Sequence, residues 1–177
     1  MTKEEAEAEE AKGNYVVEEP EGYRRIIAAP KPMDIYEIDA VNALLDAHQI
    51  VIAAGGGGIP VLEQRTRLKG ASAIIEKDYA AARLAELTEA DTLLFLTVYD
   101  KLTVNAGKPD ERSFENVTAA DLKPYATTGD FGPITTLPKV NAAIEFVEAG
   151  TGRKAVIANL EHAKDALLGR CGTTITR

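Results

Sequence analysis

The chain has 177 residues, with 20 Lys and Arg against 28 Asp and Glu, a formal net charge of -8 and 45% hydrophobic residues. That length and composition fit one domain with a sizeable core. The acidity disfavours non-specific nucleic-acid binding, and no apolar stretch approaches the ~18 residues of a membrane span. Cys171 is the single cysteine. It excludes an internal disulfide, points to a reducing compartment, and reads as a small buried apolar residue. The amino terminus is Glu-rich rather than signal-like, so a cytoplasmic location is expected. His48 and His162 lie near no pattern that reads as a metal site, so no metal ligands are assigned.

In chain order, residues 2–12 predict a helix. Thr2 and Glu5 form a capping box, with almost no apolar stripe behind it. Gly13 and Asn14 end it. Tyr15 to Val17 and Arg24 to Ala28 predict short strands, the second leaving into a proline-stiffened connector. A helix is expected from Ile35 to His48, with Asp34 as its cap.

The stretch that follows organises the chain. Ile50-Val-Ile-Ala-Ala-Gly-Gly-Gly-Gly-Ile-Pro60 is a short apolar run emptying into four glycines. It reads as a strand buried on both faces. Gly55, Gly56, Gly57 and Gly58 then stand at a strand's carboxyl end, where parallel α/β sheets bind ligands. Their bare backbone could form a nest for an anion such as phosphate; the plain alternative is a mobile surface loop. No Gly-Lys-Ser/Thr follows, so this is not a Walker A loop.

Val61 to Gly70 predicts a hairpin with a charged tip. Ile74 to Asp78 leads into an alanine-rich helix, Tyr79 to Leu87, which puts Lys77 and Asp78 at a helix start. Asp78 there is a candidate cap. Lys77 runs against the helix dipole, so it either faces an anion or is an ordinary solvated lysine. Thr92 to Thr97 predicts a second buried strand, leaving into Val98-Tyr-Asp-Lys101. Asn105 to Asp110 is turn chemistry. A short helix over Ala119–Lys123 is capped by Thr118, and a loop over Thr127–Thr136 precedes a helix opening at Pro138. Lys139 is then a second lysine at a helix start. Lys154 to Ala158 predicts a third buried strand, Leu160 to Leu168 a helix, and Thr173 to Ile175 a last strand. Alternating strands and helices with buried apolar strands mean a largely parallel, doubly wound α/β sheet. Two lysines at helix starts beside a glycine loop suit phosphoryl transfer, which asks for positive groups around the phosphoryl and a backbone cradle. Spacing alone supports an α/β anion site.

Five ordered motifs carry a resemblance. Gly22-Tyr-Arg-Arg-Ile-Ile-Ala-Ala-Pro-Lys-Pro32, Ala53-Ala-Gly-Gly-Gly-Gly-Ile-Pro-Val61, Ile74-Ile-Glu-Lys-Asp78, Asn105-Ala-Gly-Lys-Pro-Asp110 and Phe131-Gly-Pro-Ile-Thr-Thr-Leu-Pro-Lys139 resemble successive stretches of the carbamate kinases, of the amino-acid-kinase superfamily. Cys171-Gly-Thr173 extends the match. The resemblance implies a three-layer αβα sandwich with a largely parallel sheet, seen here without the family's amino-terminal side. It implies a single domain over 1–177, with a connector over 1–32 and a nucleotide-binding core over 33–177.

The resemblance further implies an enzyme of arginine and carbamoyl-phosphate catabolism, interconverting ATP and carbamate with ADP and carbamoyl phosphate. Lys77 and Lys139 match the lysines that contact the transferring phosphoryl, and Asp78 the aspartate that orients them. Gly55 to Gly58 match the loop near the phosphoryl acceptor. Thr97, Asp100, Asn105, Lys108 and Pro138 match nucleotide-side positions. The implied cofactor is ATP/ADP with Mg2+, and the partners are carbamate or carbamoyl phosphate with a nucleotide. No nucleic acid and no membrane are expected, and a homodimer is left open.

Ile134 stands where the family has glycine, Ala106 where it has an aromatic, and Glu76 where it has Asp. The family's first Gly-rich turns and its protruding subdomain have no counterpart. The alternative reading is a catalytically inactive, nucleotide-binding remnant, whose sheet would expose an edge and an apolar flank. A related kinase with another acid acceptor is a third, weaker reading.

Overall fold

The computed structural model describes residues 1–128, 130–133 and 135–177. Gly129 and Ile134 lie outside the described residues, and with Ile134 the loop departure noted above. Along the chain run α1 (Lys3–Ala11), β1 (Tyr15–Glu19), β2 (Gly22–Ile26), α2 (Ile38–Asp46), β3 (Val61–Gln64), β4 (Arg67–Gly70), α3 (Lys77–Leu87) and β5 (Thr92–Thr97). There follow β6 (Leu102–Val104), β7 (Arg112–Phe114), β8 (Asn116–Thr118), α4 (Ala119–Thr128), α5 (Thr136–Glu148), β9 (Lys154–Asn159), a 3-10 turn (Leu160–His162), α6 (Ala163–Leu167) and β10 (Thr173–Thr176).

The chain divides into two units, Met1–Pro30 with Ile59–Ile75, and Lys31–Gly58 with Glu76–Arg177. Residues 59–75 group with residues 1–30. The reason lies in hydrogen bonding. The Ile74 N–H donates to the Ala28 carbonyl at 2.8 Å, and Ala28 and Ala73 form a parallel bridge.

In the first unit, β1 and β2 form an antiparallel hairpin and β3 and β4 another. The Thr2 and Glu5 capping box is complete, with both reciprocal bonds made. Ala6 is the buried residue of α1, as the missing apolar stripe requires.

The second unit is built on a four-stranded sheet in the order β5-β9-β10-β8. β5 with β9 and β10 with β8 are parallel, and β9 with β10 is antiparallel. Alternation along the strands sorts side chains to two faces. Leu93, Phe95, Ala155, Ile157 and Ile175 join the core under α3, α4 and α5, where Phe146 and Leu122 are fully buried. Val156 and Ala158 face α6 through Ala166. Helices on both faces make the three-layer αβα arrangement. Gly172, at φ +87°, lets β10 approach β9: a Cβ there would lie 2.8 Å from the Ala158 Cβ and 2.9 Å from the Ile157 carbonyl oxygen. No other residue fits that position without moving the strand.

Four expectations change. The run Ile50–Ala53 forms no strand, and its two isoleucines are not buried: Ile50 and Ile52 are each 97% exposed. An apolar run becomes a strand only where a partner supplies a ladder, and none of the described strands pairs with it. Asp34 does not cap α2. It accepts from the adjacent Ile35 N–H, and the helix starts after Glu37 without a side-chain cap. α4 runs on to Thr128, past Pro124. The proline forfeits one helical hydrogen bond, while Leu122 is fully buried and Tyr125 packs edge-on against Phe114 at 5.8 Å. Finally, β6, β7 and β8 lie on either side of the Asn105–Asp110 turn, in stretches where no element is expected; strands of three residues carry too little periodicity to be seen.

Candidate functional site

The starts of α3 and α5 meet. α3 begins where extended backbone at Glu76 (ψ 126°) enters an alanine-rich run, whose propensity is helical. Asp78, a candidate cap, does not cap: the N-cap is Glu76, with no side-chain bond to the helix. Asp78 therefore sits in the first turn, favourable against the helix dipole, with its carboxylate turned elsewhere. α5 begins after Thr135, two residues ahead of the expected start. Pro138 lies in its first turn, where a missing N–H leaves no helical bond unmade.

Lys139 Nζ donates to Asp78 Oδ2 at 2.9 Å and lies 3.5 Å from the Thr135 carbonyl. Both side chains are withdrawn from solvent, at 12% and 5% exposure. Lys77 stands 3.9 Å from the same Asp78 oxygen, remains half exposed, and donates at 3.0 Å to Glu76. That hydrogen bond, more than the nearby Asp78 charge, holds the Lys77 ammonium above the usual lysine range. It holds the Glu76 carboxyl below the usual carboxylate range. Two ammonium groups are thus gathered around one buried carboxylate, whose negative charge lessens their mutual repulsion.

Around this centre lie residues that sequence reading passed over. The Tyr99 hydroxyl donates to Thr136 Oγ1 at 3.4 Å, and Thr136 is a buried polar residue of the α5 start. Burial pushes the Tyr99 phenol up, and the Asp78 charge adds to it. Glu76, noted above only as standing where the family has Asp, is the direct partner of Lys77. The available signal was its place one residue before a helix-start lysine.

The nucleotide-side candidates are divided among neighbouring structures. The Thr97 hydroxyl lies 2.8 Å from the Tyr99 carbonyl and 3.1 Å from the Ala158 carbonyl, and so shapes the turn after β5. Asp100 accepts from Asn159 Nδ2 at 2.9 Å. It lines a cavity of about 390 Å³ with Lys101, Asn159, His162, Asp165 and Arg170, at the carboxyl ends of β5 and β9, the edge at which parallel sheets bind ligands. Asn105, at φ +56°, donates to Asp110 at 2.5 Å. Lys108 pairs with Asp130 at 2.5 Å, and that bond raises its ammonium above the usual range. Asn105 and Lys108 thus hold the β6–β7 turn rather than joining the Asp78 cluster.

The glycine loop stands apart. Its turn is closed by the Gly57 N–H donating to the Ala54 carbonyl at 2.8 Å. Gly55, Gly57 and Gly58 have φ of 30°, 127° and 81°, values that favour glycine. A Cβ added at Gly55, Gly56 or Gly58 would meet nothing within 4 Å. Among the described residues, no hydrogen bond joins the loop to Lys77, Asp78 or Lys139. No group of three His, Cys, Asp or Glu that could hold a metal ion is found among the described residues either, and no helix of the described residues is long and apolar enough to cross a membrane.

Residues 12–159 match the sequence model of the amino acid kinase family. The chain is similar to the carbamate kinase of Clostridium perfringens, with 46% identity over 99% of this chain and 57% of that protein. A carbamate kinase-like protein of Escherichia coli is 45% identical over 97% of this chain and 56% of its own length. Among solved structures, a Giardia lamblia carbamate kinase bound to AMP-PNP superposes with a TM-score of 0.88 at 35% identity, covering 99% of this chain and 56% of that one. The chain therefore spans little more than half the length of the relatives it matches.

Proposed function

The chain belongs to the amino acid kinase family, and from that premise we propose that it forms the nucleotide-side half of a carbamate kinase, interconverting ATP and carbamate with ADP and carbamoyl phosphate. The observation that carries the reading is the buried Asp78–Lys139 pair with Lys77 beside it, at the joined starts of two helices. Its setting is a chain 46% identical to a carbamate kinase.

The chemistry follows from charge. As the terminal phosphoryl passes from the nucleotide to a carboxylate oxygen of carbamate, negative charge spreads over its equatorial oxygens and the bridging oxygen of the leaving ADP. Lys139, preset by Asp78, needs no reorganisation to meet that charge. Lys77, half exposed and hydrogen-bonded to Glu76 with Asp78 at longer range, has the freedom to swing onto an incoming phosphoryl. Backbone N–H groups of Gly55, Gly56 and Gly58 serve the acceptor side, with Gly57 holding the turn that presents them. Asp100 and the turn held by Asn105 and Lys108 serve the nucleotide, with Thr97 and Pro138 shaping the walls. Mg2+ fits this donor set as an ion carried by the nucleotide phosphates and water, its usual habit, where it neutralises phosphate charge. The nucleotide-binding core is the unit of Lys31–Gly58 with Glu76–Arg177.

A second reading, a domain that holds nucleotide without transferring phosphoryl, is favoured by the solvent-facing Ile50–Ala53 run beside the acceptor loop. One experiment separates them. Purified chain given carbamoyl phosphate and Mg-ADP forms ATP under the kinase reading, and Lys77→Ala abolishes it. Absence of ATP above that variant, with calorimetric binding of Mg-ADP retained, selects the second reading. Absence of both at millimolar nucleotide removes the two together.

A further inference from the structure

α5 carries Lys139 but begins without a side-chain cap: its N-cap, Thr135, makes no side-chain bond to the helix. A first turn of that kind frays unless something outside the helix holds it. Thr136 opens the helix, is 2% exposed, and donates its N–H to the Pro133 carbonyl at 2.8 Å. Its buried hydroxyl also needs a partner. The Tyr99 hydroxyl is that partner, at 3.4 Å. Tyr99 is itself fixed at the backbone. The Thr97 hydroxyl lies 2.8 Å from its carbonyl and accepts from its N–H at 3.3 Å. Its ring packs against the core that α5 covers. A ring that served packing alone would need no hydroxyl, and withdrawing one from water without a bond is costly. Burial and the Asp78 charge keep the phenol protonated at neutral pH, so it can donate. One turn on from Thr136, the Lys139 ammonium lies between Asp78 at 2.9 Å and the Thr135 carbonyl at 3.5 Å. Fixing Thr136 fixes the carbonyl beside it, and so the second of the two contacts that aim the ammonium.

We propose that Tyr99 is a positioning residue: through Thr136 it holds the first turn of α5, and so sets the direction in which Lys139 meets the transferring phosphoryl. The phosphoryl part rests on the kinase reading above; the hold on Lys139 does not. Tyr99 also stands between Thr97 and Asp100, and Asp100 lines the cavity at the carboxyl ends of β5 and β9. One residue thus joins the turn on the nucleotide side, through its backbone, to the charged pair, through its hydroxyl. Tyr99 touches the phosphoryl at no point in this arrangement. Its effect passes through Thr136 alone.

The test uses Tyr99→Phe and Thr136→Val, each losing one hydroxyl at nearly constant shape, with the double variant, and Tyr23→Phe, a phenol of the first unit, as control. Thermal melts confirm folding; should Tyr99→Phe melt early, Thr136→Val answers the same question. The first readout is NMR of the Lys139 ε-methylene, assigned through its loss in Lys139→Ala. A held ammonium gives separate signals for the two ε-protons. They should merge in Tyr99→Phe and in Thr136→Val alike and stay apart in Tyr23→Phe, while the Lys77 signals do not move. Unchanged Lys139 signals in either folded variant overturn the proposal. The second readout is kinetic, with carbamoyl phosphate and Mg-ADP. Tyr99→Phe should lower kcat about tenfold and leave the KM for Mg-ADP within about twofold. Adding it to Thr136→Val should lower kcat no further. Losses that multiply in the double variant, or a raised KM with kcat intact, overturn the proposal, because Tyr99 would then act elsewhere than on Thr136. If the unaltered chain forms no ATP, the kinase reading fails and the Lys139 signals alone decide; ATP formed by a chain whose Lys139 signals ignore Tyr99→Phe does the reverse.

Discussion

Asp78 and Lys139 are buried and bonded to each other, whereas Gly55, Gly56 and Gly58 look onto open space. One side of the candidate site is fixed by the packing of α3 against α5 over a common core. The other is shaped by backbone angles alone. A charged centre must be assembled by tertiary structure, because only burial and a partner give a lysine a defined direction. A glycine turn can be written locally.

The largest expected effect that tests this contrast is on ligand handling. Lys139→Ala should lower ATP formation by about 10²–10³-fold, measured with carbamoyl phosphate and Mg-ADP. An equal loss from Gly56→Ala would erase the distinction between the two sides. Next comes stability. Asp78→Asn leaves the withdrawn Lys139 ammonium without its counter-charge and should cost about 3 kcal/mol, read from the urea midpoint. Within the loop the cost should follow φ: Gly58→Ala about 1 kcal/mol, and Gly56→Ala within about 0.5 kcal/mol. A large loss at Gly56 would mean the loop is packed rather than open.

Smaller effects concern titration. Tyr99 and Tyr23 are the phenols raised above the usual value. In an alkaline absorbance titration both should ionise above the usual tyrosine value, and Tyr99→Phe should remove one such step. Because the Tyr99 phenol is raised in the fold, its contribution to stability is complete below about pH 10 and is lost as pH climbs through the raised value. The Glu76–Lys77 pair works on the acid side. Glu76 is lowered, so its contribution is present at neutral pH and is lost as pH falls through that lowered value. As a largely exposed pair it contributes at most about 1 kcal/mol. Glu76→Gln should return Lys77 toward its ordinary titration, seen by NMR, with little change in melting.

Much of the architecture was legible because local signals sufficed. The capping box at Thr2 and Glu5, the alanine-rich α3 and the β-branched run of β9 each declare an element within a few residues. Lys77, Asp78 and Lys139 were legible as a group through a family resemblance, not through spacing, since 61 residues separate Asp78 from Lys139. Glu76, Tyr99 and Thr136 were missed because nothing local says that their side chains converge. The Ile50–Ala53 run was misread for the opposite reason: its composition declares a strand, but a strand exists only where another chain segment completes the ladder.

By itself, then, the sequence determined the capping box of α1, the alanine-rich α3, the glycine turn and which family's pattern it follows, because those depend on neighbours along the chain. Tertiary structure alone decided that Asp78 takes Lys139 directly and Lys77 at longer range, that Glu76 and not Asp78 stands at the N-cap, and that the most apolar run faces solvent. Each of these depends on which groups meet across the fold, and burial and hydrogen bonding act on that meeting and not on sequence distance.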